Sequence, residues 1–232
     1  TYWVGLPALL FYKTAVAGYE LAEVETLFIL VMAGMVAAVL AALLLGMLLR
    51  LGAERSALLV QGAFRGNLVY IGIPIILYSL ADQSGIAEQT ESLVVIVIAL
   101  TVPVYNIVAV IALLAGRHRF DLRAIVKMLK GIVGNPLLLA SVAGVLYNIY
   151  MPALPALVLR SLQAVAQMAL PLALFTIGAT LYQERIGSNL LPATLGALIK
   201  VAVAPLAGLL LANHLGVHGL ELRLALLLLA CP

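Results

Sequence analysis

"RGNLVYIGIP", residues 65–74, lies inside a stretch that is otherwise largely apolar from Ala57 to Ala81. An arginine, an asparagine, two glycines and a proline are poor components for the centre of a membrane-length helix, so the segment reads as a helix that stops and restarts. Pro74 has no amide hydrogen to offer the carbonyl of Tyr70 and its ring obstructs a regular turn, while Gly66 and Gly72 lower the cost of leaving helical geometry. Backbone outside a helix is tolerated at membrane depth only where protein or a water-filled cavity surrounds it. Counting about 1.5 Å per residue from Ala57, Asn67 lies roughly 15 Å deep, near the middle of a hydrocarbon layer about 30 Å thick. An interrupted span at that depth marks a candidate substrate site, against the alternative of a proline kink that serves packing alone.

The membrane setting follows from composition. Of 232 residues, 65% are hydrophobic and 10% charged, with a mean hydropathy of +1.18, beyond the apolar share of a soluble domain. Leu, Ala and Val fill the apolar runs, which suits helices rather than the short alternating segments of a membrane barrel, so the class is an all-α polytopic membrane protein. Runs of spanning length fall near residues 26–49, 57–81, 92–116, 131–150, 156–182 and 190–213, with partial spans at 1–17 and 222–232. They are labelled M2 to M9 in order, because the first is read as incomplete and an M1 is expected before it. Both ends, at Thr1 and Pro232, are expected to cut through helices. Cys231 is the one cysteine, so no intrachain disulfide forms. No cleavable signal peptide is visible, and the net charge of +3 implies no nucleic-acid partner.

Charge alternates between the connections. Residues 18–25 and 82–91 are acidic without Lys or Arg, whereas 50–56 and 116–131 are basic, which assigns the basic segments to the cytoplasm. Arg185 agrees and Arg223 dissents. Within the long basic segment Leu122, Ile125, Val126 and Leu129 recur at helical spacing opposite Arg119, Arg123, Lys127 and Lys130. Residues 117–130 therefore read as an amphipathic linker on anionic headgroups.

"GLPALLF" (5–11) in M2 matches "ALPLALF" (169–175) in M7, and the same offset carries M3 onto M8. Five spans separate the copies, so they are inverted, as in many secondary transporters. The expected fold is a 5+5 inverted repeat, here truncated, with broken, crossing helices in M4 and M9. Residues 1–116 would form the first repeat and 131–232 the second. M9 reaches "LLACP", making Pro232 the counterpart of Pro74. Half-helix N-termini at such a crossing, each about half a positive charge, would stand beside free carbonyls, and the crossing favours anions.

Several segments together resemble a known family: "FRGNLVYIGIPI" in M4, "VPVYNIVAV" in M5, "GNPLLLASVAGVLYN" in M6, "ALPLALFTIGATL" in M7, "LIKVAVAPLAGLLLA" in M8 and the terminal "ACP". The chain resembles the auxin efflux carrier family, in its prokaryotic organic-acid permease form related to plant PIN-type carriers. That resemblance implies elevator-type alternating access, a scaffold able to dimerise through M2 and M7, and a plasma (bacterial inner) membrane location. By position it implies that Asn67 meets a substrate carboxylate, that Pro74 and Pro232 are crossover prolines, and that Asn135 and Pro136 open M6. The long hydrophilic loop of the plant proteins between M5 and M6 is absent from this sequence.

Three cations enter spans, Lys13, Arg65 and Lys200, each costing about 2.5 to 3.5 kcal/mol at a helix centre unless compensated. Every carboxylate falls in a connection or at a span end. Lys200, roughly 15 Å deep in M8, either attracts an anionic substrate or neutralises the carbonyl end of a broken helix. Arg65 and Lys13 can snorkel. His214 and His218 are spaced i, i+4 but straddle Gly216, a weak metal pattern, and no phosphate-binding glycine motif occurs.

The sequence thus predicts no enzyme and no cofactor. It predicts a secondary transporter for a small organic anion, a mono- or dicarboxylate, with H⁺ or Na⁺ as possible coupling ion. The expected binding residues are Gly66, Asn67, Tyr70, Gly72, Pro74, Asn135, Pro136, Lys200 and Pro232. A sodium-coupled bile-acid-type symporter and a non-transporting membrane sensor are the alternatives.

Overall fold

The computed structural model describes residues 3–16, 21–79, 87–116, 130, 134–151, 154–183 and 190–231. All regular elements among them are helical: α1 (Gly5–Val16), α2 (Leu21–Leu48), α3 (Ala53–Phe64), α4 (Ile73–Ser79), α5 (Ala87–Gly116), α6 (Pro136–Tyr150), α7 (Ala156–Gln183), α8 (Leu190–Leu198), α9 (Ala204–Leu215) and α10 (Leu220–Ala230). Wide π turns at Leu68–Gly72 and Ile199–Val203 lead into α4 and α9. Each is followed two residues after its end by a proline, Pro74 or Pro205. A proline ring clashes with the carbonyl four residues earlier. A widened turn just before it relieves that clash, and the Ala204 amide bonds the Ile199 carbonyl five residues back.

Three stretches are long and apolar enough to cross a membrane, Glu23–Leu48, Ala156–Thr176 and Leu190–Leu215, with shorter apolar helices at Leu93–Ala109 and Pro136–Tyr150. M4 does not qualify as one helix because it is in two pieces, α3 and the π turn with α4. Prolines alone do not cause such a break, since Pro103 and Pro171 sit inside continuous helices. Most of the 117–130 linker, and Pro232, lie outside the described residues.

The chain forms two compact units, residues 1–24, 69–100 and 130–185, and residues 25–68, 101–129 and 186–232. Each draws on both halves of the sequence, so packing does not follow chain order. In the first unit α1 packs on α6 and α7. Gly144 leaves room for Thr14 and the Phe11 carbonyl of α1, as small residues do where membrane helices approach closely. Phe11 meets Tyr147 edge-on at 6.1 Å and Asn148 donates to the Ala15 carbonyl at 2.9 Å. The Thr14 hydroxyl turns back on its own helix, donating to the Leu10 carbonyl at 2.7 Å.

In the second unit two glycines receive Leu229 of α10: a Cβ at Gly34 or Gly208 would run into its side chain. Leu224, Ala225, Leu228 and Leu229 are buried, fixing α10 against its neighbours. Another close approach, backbone to backbone at two glycines, joins α3 to α8. A Cβ on Gly196 would lie 3.0 Å from the Gly62 carbonyl carbon and 3.1 Å from its Cα.

Candidate substrate site at the helix interruption

The Gly62–Gly196 contact sets the site. Two residues beyond Gly62 is Phe64, the last of α3; four beyond Gly196 is Lys200, on the π turn. Arg65 then turns extended (φ −78°, ψ 111°), its amide still bonded to the Gln61 carbonyl at 3.1 Å. Residues 65–67 belong to no helix, and helical structure resumes at Leu68. Glycine at 66 and asparagine at 67 suit that departure, and Gly66 is also required sterically. A Cβ there would lie 2.5 Å from the Cys231 carbonyl oxygen and 3.2 Å from Lys200 Nζ. Cys231 caps α10, and its thiol donates to the Asn67 carbonyl at 3.5 Å.

Lys200 is 2% exposed, and its ammonium donates to the Phe64 carbonyl at 3.0 Å. It also lies 5.6 Å from the Tyr105 ring centroid, whose edge-on partner is Phe64 at 5.5 Å. Among the described residues no carboxylate contacts this ammonium. Its counter-charge is backbone: the C-termini of α3 and α10 both end here, each carrying about half a negative charge. The sequence left two roles open for Lys200; its bond to the Phe64 carbonyl at the end of α3 is the contact that the compensating role calls for. The ends gathered around Lys200 are C-terminal, because α3 and α10 both run toward this point, and they supply carbonyls of the kind expected beside the half-helix N-termini. The N-terminal end here is the restart at Leu68, whose first amides have no intrahelical acceptor by helix geometry.

Gln61 donates from Nε2 to the Ala109 carbonyl at 3.1 Å, tying α3 to α5. On α5 the Thr101 and Tyr105 hydroxyls, four residues apart and so on one face, are buried and have no hydrogen-bond partner among the described residues. Such groups are costly to leave unmet and are the natural donors for a solute or water.

Of the residues expected from sequence, Gly66, Asn67 and Lys200 come together in the second unit. Tyr70 and Gly72 lie on the π turn and Pro74 near the start of α4, in the first unit, where Gly72 and Pro74 are buried. Asn135 and Pro136 are also in the first unit. There Asn135 is the N-cap of α6, accepting from the Leu137 amide at 2.9 Å, with Pro136 as the opening residue. The sequence reading did not single out Phe64, Cys231 or Tyr105 as partners of Lys200. Only the "VPVYN" motif pointed at Tyr105, and nothing local marks Phe64, whose contribution is a backbone oxygen.

No curated protein matches the chain. A family-wide profile does, that of the family described as "Membrane transport protein", over residues 3–232. An all-helical chain with an interrupted apolar span and a buried, backbone-compensated lysine fits that match, and the chain belongs to this membrane transport family.

Proposed function

We propose that the protein is a secondary active transporter that moves a small organic anion, a mono- or dicarboxylate, by elevator-type alternating access. The observation that carries this reading is the interruption at residues 65–67, held between Lys200 and Cys231. Unwound backbone in a membrane transporter is where substrates bind. Asn67 and the first amides of the restarted helix supply donors for a carboxylate, and the unmet hydroxyls of Thr101 and Tyr105 are further donors on α5. The matching half of a broken M9 at Pro232, the 5+5 repeat, a dimer through M2 and M7, and the plasma membrane as its place belong to this same reading.

The sodium-coupled alternative is less well supported. Two of the carbonyls that a sodium ion could use at the break already accept from the chain, Phe64 from Lys200 and Asn67 from Cys231. The test is counterflow of a labelled dicarboxylate in proteoliposomes. Asn67→Ala should lower saturable exchange at least tenfold while the protein still inserts. Exchange that is unaltered in Asn67→Ala removes this asparagine from binding; binding without any counterflow in the parent protein establishes the sensor instead.

A further inference from the structure

On the second unit, away from the interruption, α2, α3 and α5 enclose an apolar cavity of about 370 Å³. Its walls include Val39 and Leu43 of α2, Ala57 and Val60 of α3, and Val108 and Ile111 of α5. The cavity is open on one side, where Leu43 is 42% and Ile111 50% exposed. It is within the size range of small-molecule sites, yet it offers almost nothing polar beyond Ser56. An anionic transport substrate would find no donors there. A hydrocarbon chain would.

Its depth argues the same. Val39 precedes the end of α2, Leu48, by nine residues, about 13 Å along the helix at 1.5 Å per residue, which is most of one leaflet. At its shallow end Ala53 opens α3; Arg50 lies three residues before it and Arg55 two after it in the chain, both exposed. Neither guanidinium has a hydrogen-bond or ion-pair partner among the described residues. The α3 N-terminus adds donors: its cap, Gly52, has no side chain to offer. The first backbone bond of the helix is from the Ser56 amide to the Gly52 carbonyl, at 2.9 Å, leaving the preceding amides free of intrahelical acceptors. Glu54 offsets one charge, so residues 50–56 keep a surplus of one positive charge. This is the side that the sequence assigns to its basic segments.

We propose that this groove is a binding site for one anionic phospholipid, with an acyl chain between α2, α3 and α5 and its phosphate against Arg50, Arg55 and the α3 N-terminus. Basic residues at the mouth of an apolar cleft between membrane helices, on the cytoplasmic side, have the chemistry for that headgroup, and helix N-termini accept phosphate. The site is separate from the proposed transport chemistry and stands whether or not a carboxylate is carried.

The test is native mass spectrometry of the delipidated full chain in detergent, titrated with equimolar dioleoyl phosphatidylglycerol and dioleoyl phosphatidylcholine. One phosphatidylglycerol per chain should be retained, preferred about tenfold. The double variant R50Q/R55Q, at exposed positions, should bring the preference to near unity. Ala57→Phe, which fills the groove, should release both lipids. Equal retention of the two lipids by the parent protein, or an unchanged preference in R50Q/R55Q, overturns the proposal. So does binding of soluble glycerol 3-phosphate as strong as that of the lipid, because the groove would then contribute nothing.

Discussion

Gly66→Ala isolates the contact on which the site is built. The added methyl would lie 2.5 Å from the Cys231 carbonyl oxygen, several tenths of an ångström inside any carbon–oxygen contact. The obstacle is backbone at the end of α10 rather than a flexible side-chain tip, so relief requires the 65–67 segment and the α10 terminus to separate. Overpacking of this kind costs about 1 to 3 kcal/mol. Cys231 is the one cysteine and is 3% exposed, so its reaction with a maleimide dye in detergent reports how often that end opens. If the cost falls on the closed state, labelling should accelerate by about 5- to 150-fold, the range equivalent to 1–3 kcal/mol. Gly178→Ala, where a Cβ meets nothing within 4 Å, is the control and should label at the parent rate. Parent-like labelling in Gly66→Ala, with an unchanged melting temperature, would show that residue 66 does not pack on Cys231 and would remove the geometry from which Lys200 and Asn67 were argued.

Gly196→Val should be worse than Gly66→Ala, because it adds three carbons rather than one where the Cβ alone already meets the Gly62 backbone at 3.0 and 3.1 Å. A loss of about 3 kcal/mol or more, read as a fall in melting temperature, is expected, and Gly196→Ala should be milder. Lys200→Met removes the donor to a buried carbonyl and leaves two helix C-termini uncompensated. It should destabilise by about 1 to 3 kcal/mol even in the absence of substrate, whereas a purely substrate-binding lysine would leave the unliganded protein as stable as before. Asn135→Ala should cost about 1 kcal/mol through loss of the α6 cap, and Asn135→Asp should recover most of it. Recovery of stability without recovery of exchange would assign Asn135 a substrate contact in addition to the cap.

The sequence by itself decided what is local. Apolar runs require helices in a membrane, since every backbone group must be bonded internally there, and the combination of Gly66, Asn67, Gly72 and Pro74 placed an interruption within residues 65–74, where the helix stops at 65–67. The proline was the weaker half of that signal. Pro103 and Pro171 are accommodated in continuous helices, and Pro74 follows the break across a widened turn instead of making it. What tertiary structure decided is which groups meet. Lys200 reaches Phe64, 136 residues earlier, because two glycines let α3 and α8 touch backbone to backbone. Its partner is a carbonyl oxygen, which every residue has, so no pattern of side chains could announce it. Nor does any local pattern say that α10 ends beside α3; only packing brings their two negative ends to the same buried ammonium.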